Sequence, residues 1–271
     1  MIIEPTDGET FLIRPVDFPE PAKKKNSQAK ERGFCRLSNI VNNATGTTTL
    51  SGAGTRVVNG SVENNGAWKV TGTAATYTGT FTNNGAYVSD PATQTFTDLI
   101  VDPTGYLVGG TGDVFNISND FINQGTNPLW NTDGAMLAFI FGTDSEHNFY
   151  LPGADSGPGS ESFAWQTLDI TGQSIFLFDG NGIPGGALYV DEIMGLVISN
   201  SEITNIMGGN GLTLYYDPNS PLMLALNGGI FSLNGGGLLT PGAATLPIPA
   251  TLLFVVTGLN PFIRLRKKRL I

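Results

Sequence analysis

At 271 residues, with 36 Gly and a charged fraction of only 14%, the chain has room for one large β-rich domain and few of the residues that build helical bundles. All 14 Lys and Arg lie at or before Lys69 or at or after Arg264, whereas 16 of the 23 Asp and Glu lie between Val70 and Ile263. So acidic a body repels phosphate backbones and anionic surfaces, which excludes a nucleic-acid role.

Residues 1–36 read as a charged, disordered leader without periodicity. Positions 1–21 are acidic and interrupted by proline, and positions 23–36 form a basic stretch. A secretory signal needs an apolar run of roughly 7–15 residues. Positions 1–45 contain none, so the expectation is a misassigned or truncated start. Cys35 is the single cysteine, so the chain has no intrachain disulfide.

From Leu37 the text becomes short runs of Val, Phe, Tyr, Trp and Thr separated by Gly and Asn. Gly46, Gly66, Gly85, Gly105 and Gly125 recur at spacings of 20, 19, 20 and 20. Asn42-Asn43, Asn64-Asn65 and Asn83-Asn84 precede the first three of these glycines, and Asn123-Gln124 precedes the last. Apolar Val62, Phe81, Val101 and Phe121 lie just upstream of the turns. Each unit reads as strand, tight turn and strand, with Gly or Asn supplying positive φ. Repetition at this spacing in β-rich text predicts an all-β fold, a parallel β-helix (β-solenoid) over residues 37–234. The recurrent Asn pairs suit side-chain ladders between coils. An antiparallel β-sandwich with hairpins at the Asn-Gly steps is the alternative.

The period blurs after Trp130. Residues 144–162 read as a long polar loop, and strand text resumes over 167–170, 174–178, 187–190, 195–198, 212–216 and 229–233. Residues 235–246 read as a Gly/Thr/Pro hinge.

No set of residues argues for an enzyme. His147, the only histidine, reads as a solvated loop residue, which leaves no partner for a nucleophilic triad. One His and one Cys exclude a zinc site. No cofactor is expected. Calcium is the one metal considered, with Asp179, Asn181 and Asp191 as oxygen ligands beside turn glycines; an ordinary Asp/Asn/Gly turn is the competing reading. Paired carboxylates on a β-helix would suit a polysaccharide hydrolase, for which Asp98, Asp102, Asp113 and Asp120 are unranked candidates.

Residues 247–271 complete the chain. From 247 to 263 there is no charge, and Arg264, Arg266, Lys267, Lys268 and Arg269 follow. As a helix the apolar run spans about 25 Å, against a hydrocarbon core of about 30 Å, so a single transmembrane anchor is expected. Its basic end stays cytoplasmic and its acidic body lies outside.

This tail resembles the PEP-CTERM sorting signal of exopolysaccharide-producing Gram-negative bacteria: a Pro-Glu-Pro motif, an apolar stretch and a terminal Arg-rich cluster. Pro247, Ile248 and Pro249 occupy the motif, with Ile248 in place of the usual Glu. The resemblance implies a sorting transpeptidase (exosortase) as partner, and a β-helical surface or matrix protein as passenger. The expectation is an exported, adhesin-like structural protein of the cell envelope or extracellular matrix, in contact with the membrane and with extracellular polysaccharide.

Overall fold

A computed structural model describes residues 10–13, 39–155, 157, 163–182, 185–209 and 211–242. Of the leader, only the strand Thr10–Ile13 is among them. The tail 247–271, with its motif, its expected transmembrane helix and its basic cluster, lies outside them. No helix among the described residues is long and apolar enough to cross a membrane.

The chain winds as a parallel β-solenoid with three sheets along its sides. In the first, Thr10–Ile13, Thr47–Ser51, Ala67–Thr71, Ala86–Asp90 and Tyr106–Val108 stack in parallel. The second begins with Thr55–Val58 on the first half of Ala74–Asn83 and climbs through Val114–Ile117 and Met136–Phe139 to Trp165–Asp169. The third runs from Ile40–Asn42 and Val62–Asn64 through Phe121–Asn123, Glu146–Leu151 and Ser174–Asp179 to Glu202–Met207 and Phe231–Asn234. Near the C-terminal end the long strand Gly186–Met194 receives Thr213–Tyr216 and then Leu238–Pro241. The last of these lies beyond residue 234, within the stretch read as a hinge. Antiparallel pairing is confined to three short contacts among the described residues. The Asn-Gly steps are therefore corners between sheets rather than hairpins, as a parallel β-helix requires.

The coil length follows the register. Thr47, Ala67, Ala86 and Tyr106 are successive partners, at sequence steps of 20, 19 and 20. Later coils are longer: Phe121 pairs with Phe149, and Phe149 with Leu177, steps of 28. The blurred period is thus a widening of the coil. Stretch 144–162 is not one loop, because Glu146–Leu151 is a regular strand of the third sheet, and Gly153–Ala154 adds an antiparallel contact to Gly186–Met194.

Two glycine positions correct the reason inferred from sequence. Gly66 and Gly85 do not have positive φ. A Cβ on Gly85 would sit 2.1 Å from the carbonyl oxygen of Gly66, and one on Gly66 would sit 2.4 Å from that of Gly46. The corners are so tightly stacked that each excludes any side chain above the one before it.

Alternation of in and out is regular in strands such as Glu146–Leu151. In Thr93–Val101 it breaks once, at Thr97 and Asp98, where the strand passes from the second sheet to the third. The inward rows fill the interior with aromatic rings. Trp68, Tyr77, Phe81, Tyr87 and Phe96 form one cluster of edge and stacked contacts, and Phe115, Phe121, Phe149 and Trp165 continue it along the axis. Tyr77 accepts a hydrogen bond from Trp68 Nε1 at 2.8 Å, and its hydroxyl meets that of Tyr87 at 3.2 Å. At the corners the interior is polar instead: Asn42 donates to Asn64 Oδ1, and Asn64 to Asn83 Oδ1, each at 2.7 Å. All three asparagines are fully buried.

Candidate functional site: the outer face of the third sheet

His147 is not a solvated loop residue. It sits in Glu146–Leu151 with its side chain turned inward, 1% exposed. Nδ1 lies 2.8 Å from the Asn119 carbonyl and Nε2 lies 3.1 Å from Gln173 Oε1. The polar letters around it suggested a loop because they are the outward half of an alternating strand.

The carboxylates considered as catalytic separate into inside and outside. Asp113 is buried: Oδ1 accepts from Ala92 N at 2.8 Å and from the Ser89 hydroxyl, and Oδ2 accepts from Gly110 N at 2.7 Å. It is a structural acceptor that no substrate reaches, so it leaves the set of hydrolase candidates. Asp98, Asp102 and Asp120 lie on the outer side of the third sheet and its adjoining corner. Asp98 and Asp120 occupy neighbouring rungs, a spacing of about 4.8 Å along the axis, since Leu99 pairs with Phe121. Asp98 accepts from the Asn119 amide and from Thr80 Oγ1. Asp120 accepts from Asn148 Nδ2 through both oxygens, at 3.1 and 3.0 Å, and from its backbone N–H at 2.9 Å.

Asp102 borders an open concavity of about 530 Å³ at the N-terminal end of the same face, with Asn39, Val41, Ser61, Glu63 and Thr82 among its walls. Glu63, which sequence reasoning did not single out, is anchored by Asn65 Nδ2 at 3.0 Å. The signal available for it was its place between two buried neighbours, Val62 and Asn64, which turns it outward.

Beside the polar row runs an apolar one. Ile100 pairs with Ile122, Ile122 with Tyr150 and Tyr150 with Phe178, so these four side chains line up along the outside of successive rungs. The Tyr150 and Phe178 rings stack with centroids 4.8 Å apart and 24° between planes. Phe178 is 39% exposed.

The calcium candidates fall on different elements. Asp179 ends the strand Ser174–Asp179, Asn181 donates to the Pro152 carbonyl, and Asp191 is buried within Gly186–Met194. Among the described residues no three His, Cys, Asp or Glu are grouped so as to hold a metal ion. Pro247, Ile248, Pro249, Arg264, Arg266, Lys267, Lys268, Arg269 and Cys35 lie outside the described residues.

Fold and surface together define a parallel β-solenoid with one outer face that alternates hydrogen-bonding and ring-bearing rows. No protein-family model, curated protein or solved structure matches the chain.

Proposed function

We propose that this chain is an exported, adhesin-like structural protein of the cell envelope or extracellular matrix, carried there by its PEP-CTERM-like C-terminal segment. The observation that carries the reading is the segregation of charge: a body without Lys or Arg from Val70 to Ile263, then five basic residues directly after an uncharged run. A stop cluster of this kind holds its end in the cytoplasm and leaves the acidic body outside. The solenoid supports the reading because it is a stiff rod whose outer rows repeat a surface chemistry at fixed spacing. In this reading the tail meets a sorting transpeptidase and the membrane, and the solenoid meets extracellular polysaccharide.

The test is fractionation of the tagged chain against one ending at Gly242, both expressed from the native gene. The intact chain should fractionate with the envelope or its surface matrix, and the shortened one should not. Equal retention of both in the cytoplasm defeats the proposal.

A hydrolase of polysaccharide is the second reading, favoured by one observation: Glu63 and Asp102 border the same concavity. Release of reducing ends from a panel of glycans, lost in Glu63→Gln and Asp102→Asn, would establish it. Absence of release from every glycan that the protein binds would dismiss it.

A further inference from the structure

We infer that the outer face of the third sheet binds an uncharged, hydroxyl-rich polysaccharide chain lying along the solenoid axis; this rests on the envelope reading above and names the ligand of that face. Three features select the ligand.

The first is the apolar row. Tyr150 and Phe178 present stacked rings on adjacent rungs, and Ile122 and Ile100 extend the row toward the N-terminal end. A pyranose ring offers an apolar C–H face to such a surface, and repetition at the rung spacing of about 4.8 Å suits a chain of similar units rather than a single small molecule.

The second is the polar row. Asp98 lies two positions before Ile100 in its strand and Asn148 two before Tyr150, so each points to the same side as that residue. Asp120, just ahead of Phe121–Asn123, joins them through its bonds from Asn148. The carboxylates of Asp98 and Asp120 are held by Asn119, Asn148 and Thr80. Prepositioned acceptors beside a ring surface are what sugar hydroxyls require, and immobilising them beforehand lowers the entropy cost of binding.

The third is charge. No Lys or Arg occurs between Val70 and Ile263, so among the described residues no cation on this face compensates an anionic ligand. A uronate-rich or phosphate-bearing polymer would meet Glu63, Asp98, Asp102 and Asp120 unopposed, and like charges at close range suppress such partners. A neutral glycan meets the same carboxylates as hydrogen-bond acceptors.

The experiment is affinity electrophoresis and microplate binding of the purified full-length chain, kept in mild detergent, with a soluble neutral β-glucan, a neutral α-glucan, alginate as polyanion and chitosan as polycation. At least one neutral glycan should retard the chain, with little change on raising salt, and alginate should not. Tyr150→Ala/Phe178→Ala should weaken that binding roughly tenfold, while Phe141→Ala, an exposed ring elsewhere on the molecule, should leave it unchanged. Circular dichroism of each variant checks that the solenoid is intact. If the double variant loses its fold, Tyr150→Ser and Phe178→Ser singly replace it. Retention by chitosan alone, abolished by salt, would overturn the inference in favour of general attraction to an acidic body. Equal binding by the ring variants would overturn it as well. Binding and export are read separately: an exported chain that binds no neutral glycan sinks this inference alone, and a glycan-binding chain that remains cytoplasmic sinks the envelope reading alone.

Discussion

Asn64 links two neighbours inside the solenoid: its Nδ2 donates to Asn83 Oδ1 at 2.7 Å, and its own Oδ1 accepts from Asn42 Nδ2 at the same distance. The same Nδ2 also reaches the Ala86 carbonyl at 2.9 Å, so one amide ties the corners of consecutive coils. Asn64→Ala leaves the Asn83 oxygen without this donor and removes one acceptor of Asn42, whose Nδ2 keeps the Ala67 carbonyl at 3.1 Å. Because a buried polar group left unpaired costs about 1–3 kcal/mol, the denaturant midpoint should fall by an amount in that range with the slope unchanged. Asn64→Asp should cost more, since its carboxylate would be buried facing the oxygen of Asn83.

The glycine corners give a second expectation, with its own control. At Gly85 an added methyl meets the backbone carbonyl of Gly66 at 2.1 Å, which no rotamer relieves. Gly85→Ala should therefore force neighbouring coils apart and destabilise by about 1–3 kcal/mol or more. At Gly110 a Cβ meets nothing within 4 Å, and φ is not positive. Gly110→Ala should stay within about 0.5 kcal/mol of the parent. Thermal melts of the two variants side by side distinguish packing from a general intolerance of glycine replacement.

Much of the fold was legible because a solenoid writes its geometry into the sequence at the spacing of its coils. The Gly and Asn repeats marked the corners, and the buried asparagine ladder is the physical reason those letters recur. Less visible was the side of the coil formed by the second sheet. Thr55–Val58 and Val114–Ile117 carry no corner signal of their own, and they become strands through pairing with distant segments. His147 was misplaced for a related reason: in 144–148 the outward residues are polar, so an alternating strand reads like a loop until Ile175 and Phe149 fix which side is inside. The candidate face was hidden almost entirely, since Ile100, Ile122, Tyr150 and Phe178 each belong to a different coil and meet only through the widened register.

Asp113 tests the division between buried and surface carboxylates. It accepts from two backbone N–H groups and the Ser89 hydroxyl, and Gln94 in turn donates to Ser89 Oγ. Asp113→Ala strands these donors beneath the coil and should cost about 3 kcal/mol. Asp102→Ala, at the open concavity, should cost little stability. Chemical denaturation of the pair measures this directly, and a stability loss for Asp102 equal to that for Asp113 would contradict the assignment of Asp102 to a ligand-facing position.

The tyrosines at the centre of the core make stability depend on alkaline pH in a determinable direction. Tyr77 and Tyr87 are completely buried, and burial pushes both phenols well above their ordinary value, only partly countered at Tyr77 by its bonds to Tyr87 and Trp68. The unfolded chain ionises these groups near pH 10, whereas the folded chain keeps them protonated. Their contribution is therefore fully present below about pH 10 and is lost progressively as pH climbs above it toward the raised folded values. Each phenol that ionises only on unfolding steepens the decline by about 1.4 kcal/mol per pH unit. Equilibrium unfolding from pH 8 to 12 should show a plateau and then a fall, with phenolate absorbance rising cooperatively with loss of structure. In Tyr77→Phe/Tyr87→Phe the fall should be shallower by about 2.7 kcal/mol per pH unit, although the variant starts from lower stability because Trp68 Nε1 loses its acceptor. A decline as steep as in the parent would mean that these two phenols already ionise in the folded chain.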